Sequence, residues 1–231
     1  VMSDAFSGLI QVAGVVDAED VRTLTEAGVD WVGIPLRLGY HQPDVSESEA
    51  AVLAQAVRPA RPVVITYCCE PQEVIELCAK VGVRTVQLHG DVSPGQVREL
   101  RRLKPDFTVV CSLIVREGGA DALLARAHAL APFVDGFLTD TFDPATGASG
   151  ATGRVHNWSV SAAIARQVPR PLILAGGLRA DTVAEAIRVV RPAGVDVHTG
   201  IEDLGGRNDP DLTARFVAAA RHAFQMVDDS P

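Results

Sequence analysis

Carboxylates and imidazoles that close apolar runs beside glycine-rich turns are the groups in this chain equipped for chemistry. Gly136-Phe137-Leu138-Thr139-Asp140 is an apolar run ending in a carboxylate. A carboxyl in such surroundings keeps its proton to higher pH and is suited to giving it up near neutrality. Two more runs end in glycine turns: Leu172-Ile173-Leu174-Ala175-Gly176-Gly177-Leu178, and Gly194-Val195-Asp196-Val197-His198-Thr199-Gly200-Ile201-Glu202. A third turn, Gly147 to Gly153, follows Asp140. Glycines after strands let backbone N–H groups approach an anion, and a helix N-terminus beyond adds favourable partial charge. Asp140 is therefore the candidate acid, and Gly153, Gly176, Gly177, Thr199 and Gly200 the candidate phosphate cradle. The competing readings are a capping or loop-anchoring aspartate, since Thr141 and Asp143 follow, and tight turns that only need positive φ.

Other groups are candidates with open alternatives. His198, beside the last turn, could transfer protons near neutral pH or bind phosphate, or be a satisfied structural histidine. His89 ends the fourth run and reads as a substrate-binding group or a loop hydrogen-bonding one. Asp196 either faces the substrate or holds its own loop. His41 lies in the loop after the second run, where it would contact substrate, and Cys68 closes the third as a thiol near the site or as core. His128 and His222 fall on helical patterns. No His, Cys or Asp spacing resembles a metal site, and no cofactor is expected. The only lysines, Lys80 and Lys104, do not end strands, which leaves a Schiff-base mechanism without a candidate.

These residues must be positioned by a scaffold that repeats strand then helix. Eight short β-branched runs recur: Leu9–Val12, Trp31–Leu36, Pro62–Tyr67, Thr85–Leu88, Phe107–Val115, Gly136–Thr139, Pro171–Ala175 and Gly194–Val197. Each reads as a strand buried on both faces. Helical patterns follow them, near 18–27, 46–57, 71–81, 93–103, 120–130, 159–168, 181–190 and 211–224, several opened by Asp, Ser or Pro. Eight such units predict a single-domain (β/α)8 barrel over residues 1–231. A doubly wound sheet would carry its glycine fingerprint after the first strand, where Ala13-Gly14-Val15-Val16-Asp17 has none.

Composition narrows the function further. A net charge of −8 with scattered arginines argues against a nucleic-acid surface. No apolar run is long enough to span a bilayer, the first residues have no leader pattern, and Cys68, Cys69, Cys78 and Cys111 make no disulfide framework. A cytoplasmic protein is expected, monomer or homodimer, with a small phosphorylated substrate and neither membrane nor nucleic acid as partner.

With the eight units assigned, the chain resembles the phosphoribosylanthranilate isomerase family over nearly its whole length. The resemblance rests on Val86-Gln87-Leu88-His89-Gly90, on Gly150-Ala151-Thr152-Gly153-Arg154 with Trp158, and on Leu174-Ala175-Gly176-Gly177-Leu178. It also rests on Val189-Val190-Arg191-Pro192 running into Val195 through Glu202, and on Gly206-Arg207-Asn208-Asp209. It implies an Amadori rearrangement of an N-linked phosphoribosyl sugar, with Asp140 protonating the furanose ring oxygen. Two family features are missing. Where the first strand normally ends Lys-Ile-Cys-Gly, its cysteine taking the proton from the sugar's second carbon, this chain reads Gln11-Val12-Ala13-Gly14. Where the family has an arginine for the anthranilate carboxylate, this chain has Gly39-Tyr40-His41-Gln42-Pro43-Asp44-Val45, with Arg37 nearer the strand.

Retention of acid and cradle without base and anchor predicts an enzyme that opens or rearranges a phosphorylated sugar with altered substrate or reaction. Two alternatives stay open: a noncatalytic phosphometabolite-binding barrel, and an orthodox isomerase with a relocated base, Cys68 being the economical substitute.

Overall fold

The computed structural model describes residues 4–39, 45–116, 120–141 and 157–228. Eight parallel strands pair in chain order: Leu9–Ala13 (β1), Trp31–Leu36 (β2), Arg61–Thr66 (β3), Thr85–Leu88 (β4), Thr108–Val115 (β5), Gly136–Thr141 (β6), Leu172–Leu174 (β7) and Gly194–Val197 (β8). β8 pairs back onto β1, with Gln11 opposite Asp196, and closes the barrel. The helices Ala18–Glu26 (α1), Glu47–Ala56 (α2), Pro71–Val81 (α3), Pro94–Leu103 (α4), Asp121–Leu130 (α5), Trp158–Gln167 (α6), Val183–Val190 (α7) and Pro210–Asp228 (α8) alternate with the strands. None is long and apolar enough to cross a membrane.

The local reasons match the sequence. The strands are apolar almost throughout because helices cover one face and the barrel interior takes the other. Ser46 and Ser93 each form a reciprocal capping box, with Glu49 and Gln96, and Asp17 accepts from the N–H groups of Glu19 and Asp20. One cluster, including Leu9, Ala13, Val63, Ile65, Val110, Leu138 and Ile173, fills the barrel, and a larger one lies between sheet and helices. Phe6, packed edge-on against Trp31 at 5.2 Å, stops the N-terminal end.

Strand β6 runs two residues beyond the apolar pattern, because β5 is long enough to pair Ile114 with Asp140 and Val115 with Thr141. Asp140 is thus held inside a strand. Helix α7 starts at Val183, later than its pattern suggests, since Asp181 pairs with Arg179 at 3.2 Å instead of entering the helix.

The first and last units are clamped together. Arg221 of α8 donates to the carbonyl of Gly8 at 2.6 Å and to Asp30 at 2.7 Å. Arg207, between β8 and α8, reaches Asp17 at 2.6 Å and Asp20 at 3.2 Å at the start of α1.

Candidate active site

The C-terminal ends of β6, β7 and β8 surround one cavity, lined by Asp140, Ala175, Gly176, Gly177, Leu178, Asp196, Val197, His198, Thr199 and Gly200. Alternation places Leu138 and Asp140 on the inward face of β6, and Asp196 points inward from β8. This is the face on which barrels of this kind carry their chemistry.

Asp140 is 7% exposed and accepts the backbone N–H of Thr141 at 2.7 Å. Burial pushes its carboxyl above the usual range, against the opposing pull of His89, of that N–H and of His198. Asp196, equally buried, is pushed up to about 7 by burial and then by the charge of Asp140, with Gln11 and His198 acting the other way. Two such carboxyls hold protons as a pair. Among the described residues Asp196 Oδ1 has no hydrogen-bond partner, so a proton there turns an unpaired buried acceptor into a donor.

Beneath the mouth a polar chain crosses the barrel. Gln11 Nε2 on β1 donates to Gln87 Oε1 on β4 at 2.7 Å. Gln87 Nε2 lies 3.4 Å from Ser112 Oγ on β5 and from His89 Nδ1, and Ser112 Oγ is 2.8 Å from that same nitrogen. The chain orients His89, whose charge is felt by Asp140, and its ring lies 5.1 Å from that of Tyr67.

The two glycine turns touch each other. Gly176 and Gly177 both have positive φ, 94° and 63°, a conformation open to residues without a side chain. A Cβ on Gly200 would overlap the carbonyl oxygen of Leu178, so this turn packs backbone to backbone against the one after β7. His198 leaves the same turn in the other direction. Its ring lies over β1, where a Cβ on Gly14 would collide with the imidazole Nε2, and that nitrogen is 3.2 Å from Glu202 Oε1.

A family model described as N-(5'phosphoribosyl)anthranilate (PRA) isomerase matches residues 10–219. The chain is 37% identical over 223 residues to the N-(5'-phosphoribosyl)anthranilate isomerase of Haloferax volcanii, covering 95% of this chain and 96% of that one. The chain belongs to the phosphoribosylanthranilate isomerase family. A second relative, N-(5'-phosphoribosyl)anthranilate isomerase 2 of Methanosarcina mazei, is 34% identical over 94% of this chain and 96% of its own. A solved phosphoribosyl anthranilate isomerase in complex with reduced 1-(o-carboxyphenylamino)-1-deoxyribulose 5-phosphate superposes with a TM-score of 0.75 at 26% identity, over 93% of this chain and 98% of that one. As a member of this isomerase family, the chain is an enzyme.

Within the barrel the structure brings together Asp140, Asp196, His198, Gly176, Gly177, Thr199 and Gly200, with His89 alongside. It does not bring Cys68 to them. The chain turns after Thr66, and the Cys68 backbone N–H bonds Thr66 Oγ1 at 3.2 Å. The thiol packs against the outer core, where Arg37 and Cys78 feel it. Arg37 also points away from the cavity, paired with Glu47 at 2.8 Å. Glu47, held by Arg37 and by Lys80, is pulled down to about 2. His41 and Gly153 lie outside the described residues. Gln11 and Ser112 are the additions that sequence reasoning missed. Their only signal is a polar residue on an inward alternation, two positions before Ala13 and two after Val110.

Proposed function

We propose that the chain catalyses an Amadori-type isomerisation of an N-linked 5-phosphoribosyl amine, an aldose becoming a 1-amino-1-deoxyketose. The observation that carries this reading is Asp140: a buried carboxyl whose hold on its proton is strengthened by burial, opening into the same cavity as two packed glycine turns. Those turns offer backbone N–H groups to the 5-phosphate. With the phosphate seated there, Asp140 delivers its proton to the furanose ring oxygen, the C1–O bond breaks, and the nitrogen lone pair forms the C1=N⁺ iminium. The proton on C2 is then acidic. Its removal gives an enolamine, which gains a proton at C1 and loses one from the C2 hydroxyl to become the ketone. Atoms are conserved and no electrons are gained or lost. Exchange with water resets the acid and the base.

A reduced ribulose phosphate product analogue in a relative's complex supports the reading of the phosphoribosyl end. The amine end is read differently. Arg37 is engaged by Glu47 on the outer side, and no arginine is among the described residues lining the cavity. This favours an amine without a carboxylate over anthranilate itself. The test is turnover of N-(5'-phosphoribosyl)anthranilate beside the aniline analogue that lacks the carboxylate, by the unmodified protein and by Asp140→Asn. Turnover by the first and a loss of 10²–10⁴-fold in kcat by the second are expected. Binding of the reduced ketose phosphate without turnover of either amine would establish a binding protein instead. Faster turnover of the anthranilate would remove the altered-substrate reading.

A further inference from the structure

The isomerisation proposed above needs a proton acceptor for C2 as well as a donor for the ring oxygen. Asp140 is already engaged as the donor, and position 13, at the end of β1, is an alanine whose methyl packs in the barrel interior. We propose that His198, backed by Glu202, is the group that takes the C2 proton.

Four observations carry this. First, the His198 ring crosses from β8 to the end of β1 and occupies the space beside Gly14, which only a glycine leaves open. Second, the Glu202 carboxylate lies 3.2 Å from Nε2. A carboxylate at that distance stabilises the imidazolium that forms when the ring accepts a proton. Third, Glu202 is itself fixed. It bridges to Asn208, and Arg207 ties this segment to Asp17 and Asp20. Fourth, Gly200 packs against the β7 turn while the imidazole lies over β1, so a phosphate held at the rim of the turns and a base at C2 do not compete for one place. The charged groups that face the ring are Glu202 on its own segment, Asp196 on β8 and Asp140 on β6. In the step, the C2–H electron pair forms the C1=C2 bond, the iminium π pair returns to nitrogen, and the proton passes to the imidazole.

The test uses the unmodified protein, His198→Ala, His198→Asn and Glu202→Gln with whichever phosphoribosyl amine turns over. His198→Ala should lose 10²–10⁴-fold in kcat with KM and the affinity for the reduced ketose phosphate changed less than threefold. Added imidazole should restore part of the rate, and deuterium at C2 should slow the variant more than the parent. His198→Asn controls for packing and should fold and bind but not turn over. Glu202→Gln should move the acidic limb of the pH–rate profile to lower pH, which a packing role would not do. A His198→Ala variant that keeps its kcat overturns the proposal. So does one that loses phosphate affinity instead, since the imidazole is then a phosphate ligand. An unmodified protein with no turnover of any phosphoribosyl amine overturns the function itself, and the base with it.

Discussion

Replacing Asp196 by asparagine should make the protein more stable and less active, and the stabilisation should depend on pH. The folded carboxyl titrates at about 7 against an ordinary 3.8, because it is buried beside Asp140. A raised carboxyl means that the native state keeps a proton which the unfolded chain has released, so stability falls as pH rises through the window between these two values. Each pK unit is about 1.4 kcal/mol, so the full penalty above pH 7 is about 4 kcal/mol. By pH 5 about 1.6 kcal/mol of it has already accrued. The variant, which mimics the protonated acid in shape and never ionises, should therefore gain about 2.5 kcal/mol on the parent between pH 5 and pH 8. The pair shares its protons, and part of the difference belongs to Asp140, so a gain of half that size still fits. Urea unfolding of both proteins at the two pH values measures it. An equal difference at pH 5 and pH 8 would refute the reasoning, because it would mean that Asp196 ionises in the fold as it does in water.

Three further substitutions probe the rest of the mouth. Gly200→Ala should weaken inhibition by inorganic phosphate at least tenfold, since the added methyl pushes the last turn off the carbonyl of Leu178; competition assays with phosphate would detect it. Gly14→Ala combines a positive φ of 89° with displacement of the His198 ring, and should cost about 1–2 kcal/mol in urea unfolding along with most of kcat. Arg207→Ala should cost only about 1 kcal/mol, because its guanidinium is partly exposed. Its effect on kcat should be larger than that cost suggests, as Glu202 loses its support, and melting curves beside steady-state rates separate the two.

The repeating units were legible in the sequence because strand and helix patterns alternate with capping residues at their junctions. Their ends were less so. Asp140 lies inside β6 because of the length of its neighbour β5, a property of pairing that no local pattern encodes. Among the candidate groups, Asp140, Asp196, His198 and the two glycine turns could be picked out because each ends an apolar run. What could not be read was their company. In strands buried on both faces an inward residue looks like an outward one, so Gln11, Gln87 and Ser112 gave no sign of the chain they form beneath the mouth. Cys68 illustrates the converse: it lies near a strand end, but the turn after Thr66 carries its thiol outward. The meeting of His198 with Gly14 joins the last unit to the first and has no local signature.

That meeting point has a temporal consequence. The cavity needs β6, β7 and β8 together with the rim of β1, and β1 finds β8 only when the ring shuts. During synthesis β8 is the last strand to emerge. A nascent chain of six or seven units lacks β8 and with it Asp196, His198 and the last glycine turn, and the Arg207 and Arg221 clamps cannot engage until α8 has followed. Turnover should therefore report ring closure more directly than any measure of secondary structure.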